Sequence, residues 1–315
     1  MKKIFLHLGF PKTGTTALQQ NVLRKLHSHE FFFAGTPNQS DDFKYSSEQL
    51  DVNQAFFDYV ALGKPFDKVK IKKILDGYKG VLISREGVLS SSVKSLGDDE
   101  PVPIGKIFKR AKEFALLIDG EAIVKPIVIL RKQDELLHSL FCQRTRFSST
   151  SDFNMYIDKF ISEPSHYEQL NYFKLLGELR NVFGQEVVYY DFYERFESNA
   201  EMFLKDFLSF LNAKELRIES VEKSNVRRVS SKKRLGRDYS LVSILGYYKR
   251  KLGIKKSFKL NILRSVLNRI KLKGRSIVLE DDVSRRIREV YSKSNSDLLS
   301  NIDYDFSVVG YKDEV

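Results

Sequence analysis

Hydrophobic residues in this chain alternate between short continuous runs and longer segments with helical spacing. Continuous apolar runs are typical of strands buried on both faces of a parallel sheet, and they cover residues 3–8, 30–34, 80–84, 126–131 and 186–190. Apolar positions three or four residues apart predict helices over residues 17–26, 46–59, 64–78, 104–117, 133–144, 167–183, 200–211 and 281–299. This order predicts a three-layer α/β fold, with a central parallel sheet and helices on both faces.

Length and composition fit one large domain. The chain has 315 residues, of which 42% are hydrophobic, and this is enough to bury a sizeable core. We expect a single domain, with an α/β core over residues 1–220 and a basic, mostly helical C-terminal extension over residues 221–315. The one cysteine, Cys142, excludes an internal disulfide and favours a reducing, cytoplasmic setting.

The first residues have some features of a secretory signal. Met-Lys-Lys precedes an apolar run over residues 4–10, but His7 interrupts the run and Pro11-Lys12 follows it. A cleavage site would have small residues at that point, so we interpret the run as a buried first strand. No stretch of the sequence approaches the roughly 20 apolar residues of a membrane span.

The net charge of +12 is concentrated in one region. Residues 223–275 contain eighteen Lys or Arg and one acid, a net charge of +17, so the rest of the chain carries −5. Within this region, residues 257–272 place most apolar side chains on one arc of a helical wheel, which predicts a basic amphipathic helix. Such a helix docks on its own core or meets an anionic partner. The alternatives here are a membrane, which would put the protein on the inner membrane face, and an anionic glycan.

A glycine loop joins the first predicted strand to the first predicted helix. Residues 9–16 read Gly-Phe-Pro-Lys-Thr-Gly-Thr-Thr, which matches the G-x-x-x-x-G-K-[ST] frame of phosphate-binding loops except that a threonine replaces the lysine. The glycines let the backbone approach oxygens closely, and N–H groups at a helix start favour an anion. The loop predicts a P-loop-like phosphate site made by Lys12, Thr13, Gly14, Thr15 and Thr16.

The position of the lysine distinguishes two kinds of chemistry. In enzymes that use nucleoside triphosphates, a lysine directly after the second glycine acts together with Mg²⁺ on the phosphates. Here that residue is Thr15, and the lysine is Lys12. No convincing strand ends in an aspartate that could serve as a second Mg²⁺ ligand, and the most apolar strand ends in Arg131. A transfer without metal therefore fits better than a P-loop kinase, which is the alternative.

The loop resembles the 5′-phosphosulfate loop of sulfotransferases that use 3′-phosphoadenosine-5′-phosphosulfate (PAPS). A second signature of that family is an arginine ending a central strand, followed eight residues later by a serine, and Arg131 and Ser139 have this spacing. The family often has a proline where this chain has Gln133. The resemblance implies a P-loop-like fold and PAPS as the sulfuryl donor, with Arg131 and Ser139 binding its 3′-phosphate. An arginine fork and a hydroxyl are suited to that contact.

Other segments are similar to bacterial, carbohydrate-modifying sulfotransferases. Residues 83–86 resemble a strand-end Ser-Ser-Glu, with Arg85 in place of the second serine, and residues 189–194 resemble a Tyr-Glu element after a late strand. Residues 224–227 resemble a late Asn motif, which adds Asn225 to the donor-binding residues. These similarities imply a glycan or glycolipid acceptor.

Sulfuryl transfer requires stabilisation of the leaving diphosphate and removal of a proton from the acceptor hydroxyl or amine. We assign the first role to Lys12, because the bridging oxygen is expected beside the loop. Glu86 is the first candidate for the base, because open α/β sheets bind ligands at the carboxyl ends of their strands. His166 and His138 are the alternatives.

A third class of function is nucleic-acid binding through the basic segment. That reading leaves the glycine loop and the spacing of Arg131 and Ser139 without a role. We therefore expect a sulfotransferase that needs no metal and has no nucleic-acid partner.

Overall fold

The computed structural model describes residues 1–28, 30–36, 43–89, 102–144, 153–162, 164–216, 234–235, 239–240, 271–272 and 277–301. A five-stranded parallel sheet lies at its centre, with the order β2-β3-β1-β4-β5. The strands are β1 (Lys3–Gly9), β2 (Phe31–Ala34), β3 (Gly80–Glu86), β4 (Ile123–Leu130) and β5 (Tyr189–Phe192). The prediction of a central parallel sheet is confirmed.

Helices cover both faces of this sheet. Within the described residues the helices are, in chain order, α1 (Thr15–Asn21), α2 (Ser47–Val60), α3 (Lys68–Leu75), α4 (Ile104–Ile118), α5 (Gln133–Arg144), α6 (Phe153–Ser162), α7 (Tyr172–Phe183), α8 (Tyr193–Ser198), α9 (Ala200–Phe210) and α10 (Asp281–Asn301). One face packs against α1 and α9 through a cluster that includes Phe5, Leu82 and Ile129, and the other packs against α2, α4 and α7. The predicted α/β fold with helices on both faces is therefore confirmed.

The strand register brings the carboxyl ends of the strands to one edge. Gly9, where the glycine loop begins, pairs with Glu86 at the end of β3, and Leu130 pairs with Phe192. After β1 the chain continues to β2 at one edge of the sheet, whereas after β3 it crosses β1 to reach β4 on the other side. The direction of the connections therefore changes between the neighbouring strands β1 and β4. Such a reversal is where open α/β sheets bind ligands.

Several predicted boundaries differ from those observed. The first helix ends at Asn21 and continues as a 3₁₀ helix, Leu23–Leu26. The helix predicted over residues 167–183 is divided, because the Asn171 side chain accepts a hydrogen bond from Lys174 N (3.0 Å) and caps a new helix. Strand β5 begins at Tyr189, later than predicted, because Gln185–Val187 form a 3₁₀ turn.

The basic C-terminal region is described in part. Two short antiparallel pairs join β6 (Arg234–Leu235) to β9 (Ile277–Val278) and β7 (Tyr239–Ser240) to β8 (Lys271–Leu272). The helix predicted over residues 257–272 lies outside the described residues, except that its last two residues form β8. Among the described helices, none is both long and apolar enough to cross a membrane.

Helix α10 is attached to the start of α5 through buried polar side chains. Gln133 Nε2 donates to Asn295 Oδ1 (2.8 Å), and Ser284 Oγ donates to Asp134 Oδ2. Gln133 and Asp134 are almost fully buried, and buried polar groups of this kind need such partners. The C-terminal helix therefore completes the packing around the helix that follows Arg131.

Candidate active site

The loop between β1 and α1 contains two residues with left-handed backbone. Lys12 has φ 75° and Gly14 has φ 72°. Thr13, between them, is buried, and its hydroxyl donates to the carbonyl of Phe10 (2.8 Å). Left-handed residues recur in loops whose N–H groups converge on an anion. The exposed Lys12 side chain adds a positive charge at the tip of this loop.

Gly14 is required by a close contact as well as by its backbone angle. A Cβ atom at Gly14 would lie 2.8 Å from the ring of Tyr193, the first residue of α8. A real Cβ is not found so close to ring atoms, and φ near +70° already disfavours residues with a side chain. Tyr193 therefore packs directly on the loop and forms part of the site.

Glu86 contacts the loop at the start of α1. Its Oε1 accepts hydrogen bonds from the hydroxyls of Thr15 and Thr16, the second at 3.2 Å. The sequence pattern offered no convincing aspartate at a strand end as a Mg²⁺ ligand, whereas Glu86 ends the apolar strand beside β1 and contacts the loop hydroxyls. The predicted base candidate is therefore close to the predicted phosphate loop.

Arg131 joins the loop to helix α5. Its Nη1 donates to the Lys12 carbonyl (2.8 Å), its Nη2 pairs with Glu135 (3.1 Å), and its guanidinium lies 4.7 Å from the centre of the Tyr193 ring. Its Nε is buried and has no hydrogen-bond partner in the described part of the chain. The carboxylate of Glu135 raises the pKa of Arg131 against the opposing effect of burial, so the guanidinium stays charged.

The other predicted residues are described to different extents. Ser139 is half-buried on α5, and its hydroxyl makes no hydrogen bond to any described residue. His138 is buried on the same helix, with Nε2 3.7 Å from Cys142 Sγ. Asn225 and the side chain of His166 lie outside the described residues.

Glu194 is a site residue to which sequence analysis gave no role. It follows Tyr193 on α8, and its Oε1 accepts a hydrogen bond from Lys132 N (2.8 Å), directly after Arg131. Its other oxygen, Oε2, is buried without a partner among the described residues. The strand prediction ended at residue 190, so Glu194 was not recognised as a residue at a strand end. Had β5 been extended to Phe192, the strand-end argument used for Glu86 would have identified it.

A buried polar chain supports the loop from within the sheet. Ser84 Oγ lies 2.7 Å from His7 Nδ1 and accepts a hydrogen bond from Gln19 Nε2 (2.8 Å). These residues link β1, β3 and α1. Complete burial lowers the pKa of His7 to about 4, so His7 is neutral at pH 7 and has a structural role.

This arrangement suits a ligand with two separate anionic groups. The loop around Lys12 and Gly14 provides one cationic, glycine-lined position. Arg131 provides a second cationic group, and its buried Nε has no hydrogen-bond partner among the described residues. Charged donors of this kind bind phosphate strongly.

Comparison with known proteins identifies the fold. No protein-family model matches the chain, and no curated protein matches it. Among solved structures, a sulfotransferase from Alicyclobacillus acidocaldarius is similar over 98% of this chain and 98% of its own, with a TM-score of 0.51 and 13% identity. Mouse sulfotransferase SULT7A1, complexed with PAP, has a TM-score of 0.45 and 12% identity over 98% of this chain and 89% of its own. The first similarity shows that this chain has the fold of a sulfotransferase.

Proposed function

We propose that this protein is a PAPS-dependent sulfotransferase. The observation that carries the proposal is the hydrogen bond from Arg131 Nη1 to the Lys12 carbonyl. It joins two sequence signatures, 119 residues apart, that one bisphosphorylated nucleotide would need together. The sulfotransferase fold of the similar bacterial structure supports the same assignment.

The chain's own side chains have distinct roles in this reaction. Lys12 and the loop stabilise the negative charge that develops on the bridging oxygen when the bond from that oxygen to sulfur breaks. Arg131, Ser139 and Asn225 hold the 3′-phosphate. Glu86 accepts the proton of the acceptor hydroxyl or amine as its oxygen or nitrogen bonds to sulfur. No step of this scheme requires a metal ion.

We propose a glycan or glycolipid as the acceptor, on the sequence similarities at residues 83–86 and 189–194. We propose a cytoplasmic setting, which the single cysteine favours. The segment 223–275, with its charge of +17, is suited to an anionic acceptor or to the inner face of the membrane. Nucleic acid is not an expected partner, because the loop and Arg131 would then have no role.

The donor assignment predicts a difference in thermal stabilisation. PAP, the 3′,5′-diphosphate product, should raise Tm by about 5 °C at a hundredfold excess over Kd, with EDTA present. ATP with Mg²⁺ should raise Tm much less, because it has no 3′-phosphate for Arg131. Differential scanning fluorimetry measures both.

One observation favours a second candidate, a Mg²⁺-dependent P-loop kinase. The contact from Thr16 to Glu86 is the kind of hydroxyl–acid pair near which such enzymes hold Mg²⁺. Against it stands Thr15 in place of the loop lysine. If ATP with Mg²⁺ stabilises the protein as much as PAP does, the kinase is the better assignment.

The proposed role of Arg131 predicts that its removal weakens the binding only of ligands that carry a 3′-phosphate. Arg131→Ala should weaken PAP binding by about ten- to a hundredfold, because a charge-assisted contact contributes about 1.5–3 kcal/mol. Binding of adenosine 5′-phosphosulfate, which lacks the 3′-phosphate, should change little. Isothermal titration calorimetry measures both affinities.

Arg180→Ala is the matched control for this variant. Arg180 also lies over a tyrosine ring, that of Tyr190 at 5.5 Å, and its Nε is also buried without a partner among the described residues. The Arg180→Ala variant should bind PAP and adenosine 5′-phosphosulfate as the wild type does. Equal losses for both ligands in Arg131→Ala would mean that Arg131 only supports the loop through the Lys12 carbonyl.

A further inference from the structure

Glu194 is a buried carboxyl group that the proposed reaction does not use. One of its oxygens accepts the Lys132 amide hydrogen at 2.8 Å, so the side chain holds the backbone that leads from Arg131 into α5. The other oxygen is buried with no partner among the described residues. An unpaired carboxylate oxygen away from water is costly, and a neutral carboxyl group at that position costs less to bury than a charged one.

The groups around Glu194 leave its charge poorly compensated. Arg131, at the end of β4, is the cation that faces it, but Arg131 already donates to Glu135 and to the loop carbonyl. Glu135 on α5 is a second acid near the same guanidinium, and its charge acts on Glu194. Tyr172 on α7 and Tyr193 on α8 are neutral, because burial raises the pKa of both phenols. One arginine therefore faces two carboxyl groups.

We propose that Glu194 takes up a proton when the 3′-phosphate of the donor binds at Arg131, so that the donor site is completed by a neutral carboxylic acid. This inference rests on the proposed function, since it requires a 3′-phosphate at Arg131. It assigns to Glu194 a positioning role: the residue sets the charge of the site and holds the Lys132 amide.

The direction of the coupling follows from electrostatics. Burial raises the pKa of Glu194 to about 7 before any ligand binds, although the amides of Lys132 and of Glu194 itself and the charge of Arg131 act to lower it. A phosphate brought to Arg131 adds negative charge nearby and raises the pKa of Glu194 further. By linkage, proton uptake on binding means that affinity falls as the pH rises through and above 7.

Ionisation of the ligand changes the affinity for PAP in the opposite direction, and its contribution can be separated from that of Glu194. The second pKa of a phosphate monoester is about 6, so the ligand gains charge and should bind more tightly as pH rises towards 7. At pH 6.5 the phosphate is already mostly a dianion, and further ionisation can only strengthen binding. A decline in affinity between pH 6.5 and 8.5 therefore has to come from the protein, and comparison with a variant at residue 194 assigns it to Glu194.

The experiment is calorimetric titration of the full chain with PAP between pH 6.5 and 8.5, in pairs of buffers with different ionisation enthalpies. The wild type should lose about tenfold in affinity across this range and take up a fraction of a proton near pH 7.5, as expected when binding raises one pKa by about one unit or more. Glu194→Gln keeps an oxygen for the Lys132 amide and is always neutral. It should show no proton uptake and no loss of affinity above pH 7, and it should bind PAP more tightly than the wild type at pH 8.5.

Two controls make the outcome specific. Glu201→Gln removes an exposed carboxylate on the neighbouring helix α9 and should follow the wild type at every pH. Adenosine 5′-phosphosulfate should bind to the wild type with little proton uptake, because it places no phosphate at Arg131.

The possible results separate this inference from the proposed function. PAP binding by the wild type without proton uptake, or a Glu194→Gln variant with the same pH dependence as the wild type, would overturn the inference and leave the function intact. A folded wild-type protein that does not bind PAP at all would overturn both. Weaker PAP binding by Glu194→Gln at pH 8.5 would mean that the charged carboxylate supports Arg131, contrary to the inference.

Discussion

Glu86→Gln is expected to lower turnover by about 10²- to 10⁴-fold, the usual contribution of a general base. The glutamine oxygen can still accept the hydrogen bonds that Thr15 and Thr16 donate to Glu86, so the loop should keep its shape and PAP should bind with nearly wild-type affinity. Turnover is measured as PAP released from PAPS in the presence of a panel of neutral and acidic oligosaccharides. The acidic limb of the pH–rate profile should disappear with the carboxylate.

A matched variant distinguishes loss of the base from a disturbed loop. Thr16→Val removes one hydroxyl that contacts Glu86 and leaves the carboxylate, so its pH–rate profile should keep the acidic limb even if PAP binds less tightly. Near-normal turnover of Glu86→Gln on an accepted substrate would end the assignment of Glu86, and His166 would be the next residue to replace. The donor assignment would stand, since it rests on the loop and Arg131.

Lys12→Ala is expected to slow transfer by about 10²- to 10³-fold, the cost of removing one group that stabilises developing charge. PAP binding should weaken only a few-fold, because the backbone of the loop and Arg131 still hold the nucleotide. The left-handed backbone at residue 12 is as unfavourable for alanine as for lysine, so the substitution should not refold the loop. Single-turnover rates and calorimetric affinities give the two numbers.

The comparison between rate and affinity decides the role of Lys12. Lys25→Ala removes an exposed lysine in the 3₁₀ helix after α1. It should leave both quantities unchanged, and it controls for the loss of one positive charge. If Lys12→Ala loses as much in PAP affinity as in rate, the lysine binds the ground state and the leaving group must be stabilised by another residue.

Much of the sheet could be predicted because its strands are apolar and continuous. The pattern identified all five strands of the sheet, and the rule that ligands bind at strand ends singled out Glu86 before its contact with the loop was known. Lys12 was singled out by the pattern of the glycine loop, and Arg131 by its resemblance to a family signature; their roles in phosphate binding remain predictions.

The contacts between these residues could not be predicted in the same way. The hydrogen bond from Arg131 to the Lys12 carbonyl depends on the register of β1 and β4, which the order of residues does not give. Glu194 was placed in the Tyr-Glu element of residues 189–194 but received no role, because the polar residue Asp191 lies inside β5 and the strand prediction ended before it. The charge of Asp191 is compensated by Arg195 at 2.7 Å and by a hydrogen bond from the Tyr189 hydroxyl, so a buried acid interrupts the apolar pattern that marked the other strands.

The attachment of α10 to α5 has a consequence for biosynthesis. While the chain is being made, α5 emerges well over a hundred residues before its partners, and Gln133 and Asp134 then have no Asn295 or Ser284 to pair with. Without α10, these side chains and the apolar surface beneath them face water, so the segment that carries Arg131 and Ser139 lacks part of its packing. We therefore expect this segment to open more readily in a chain that stops before α10 than in one that contains it.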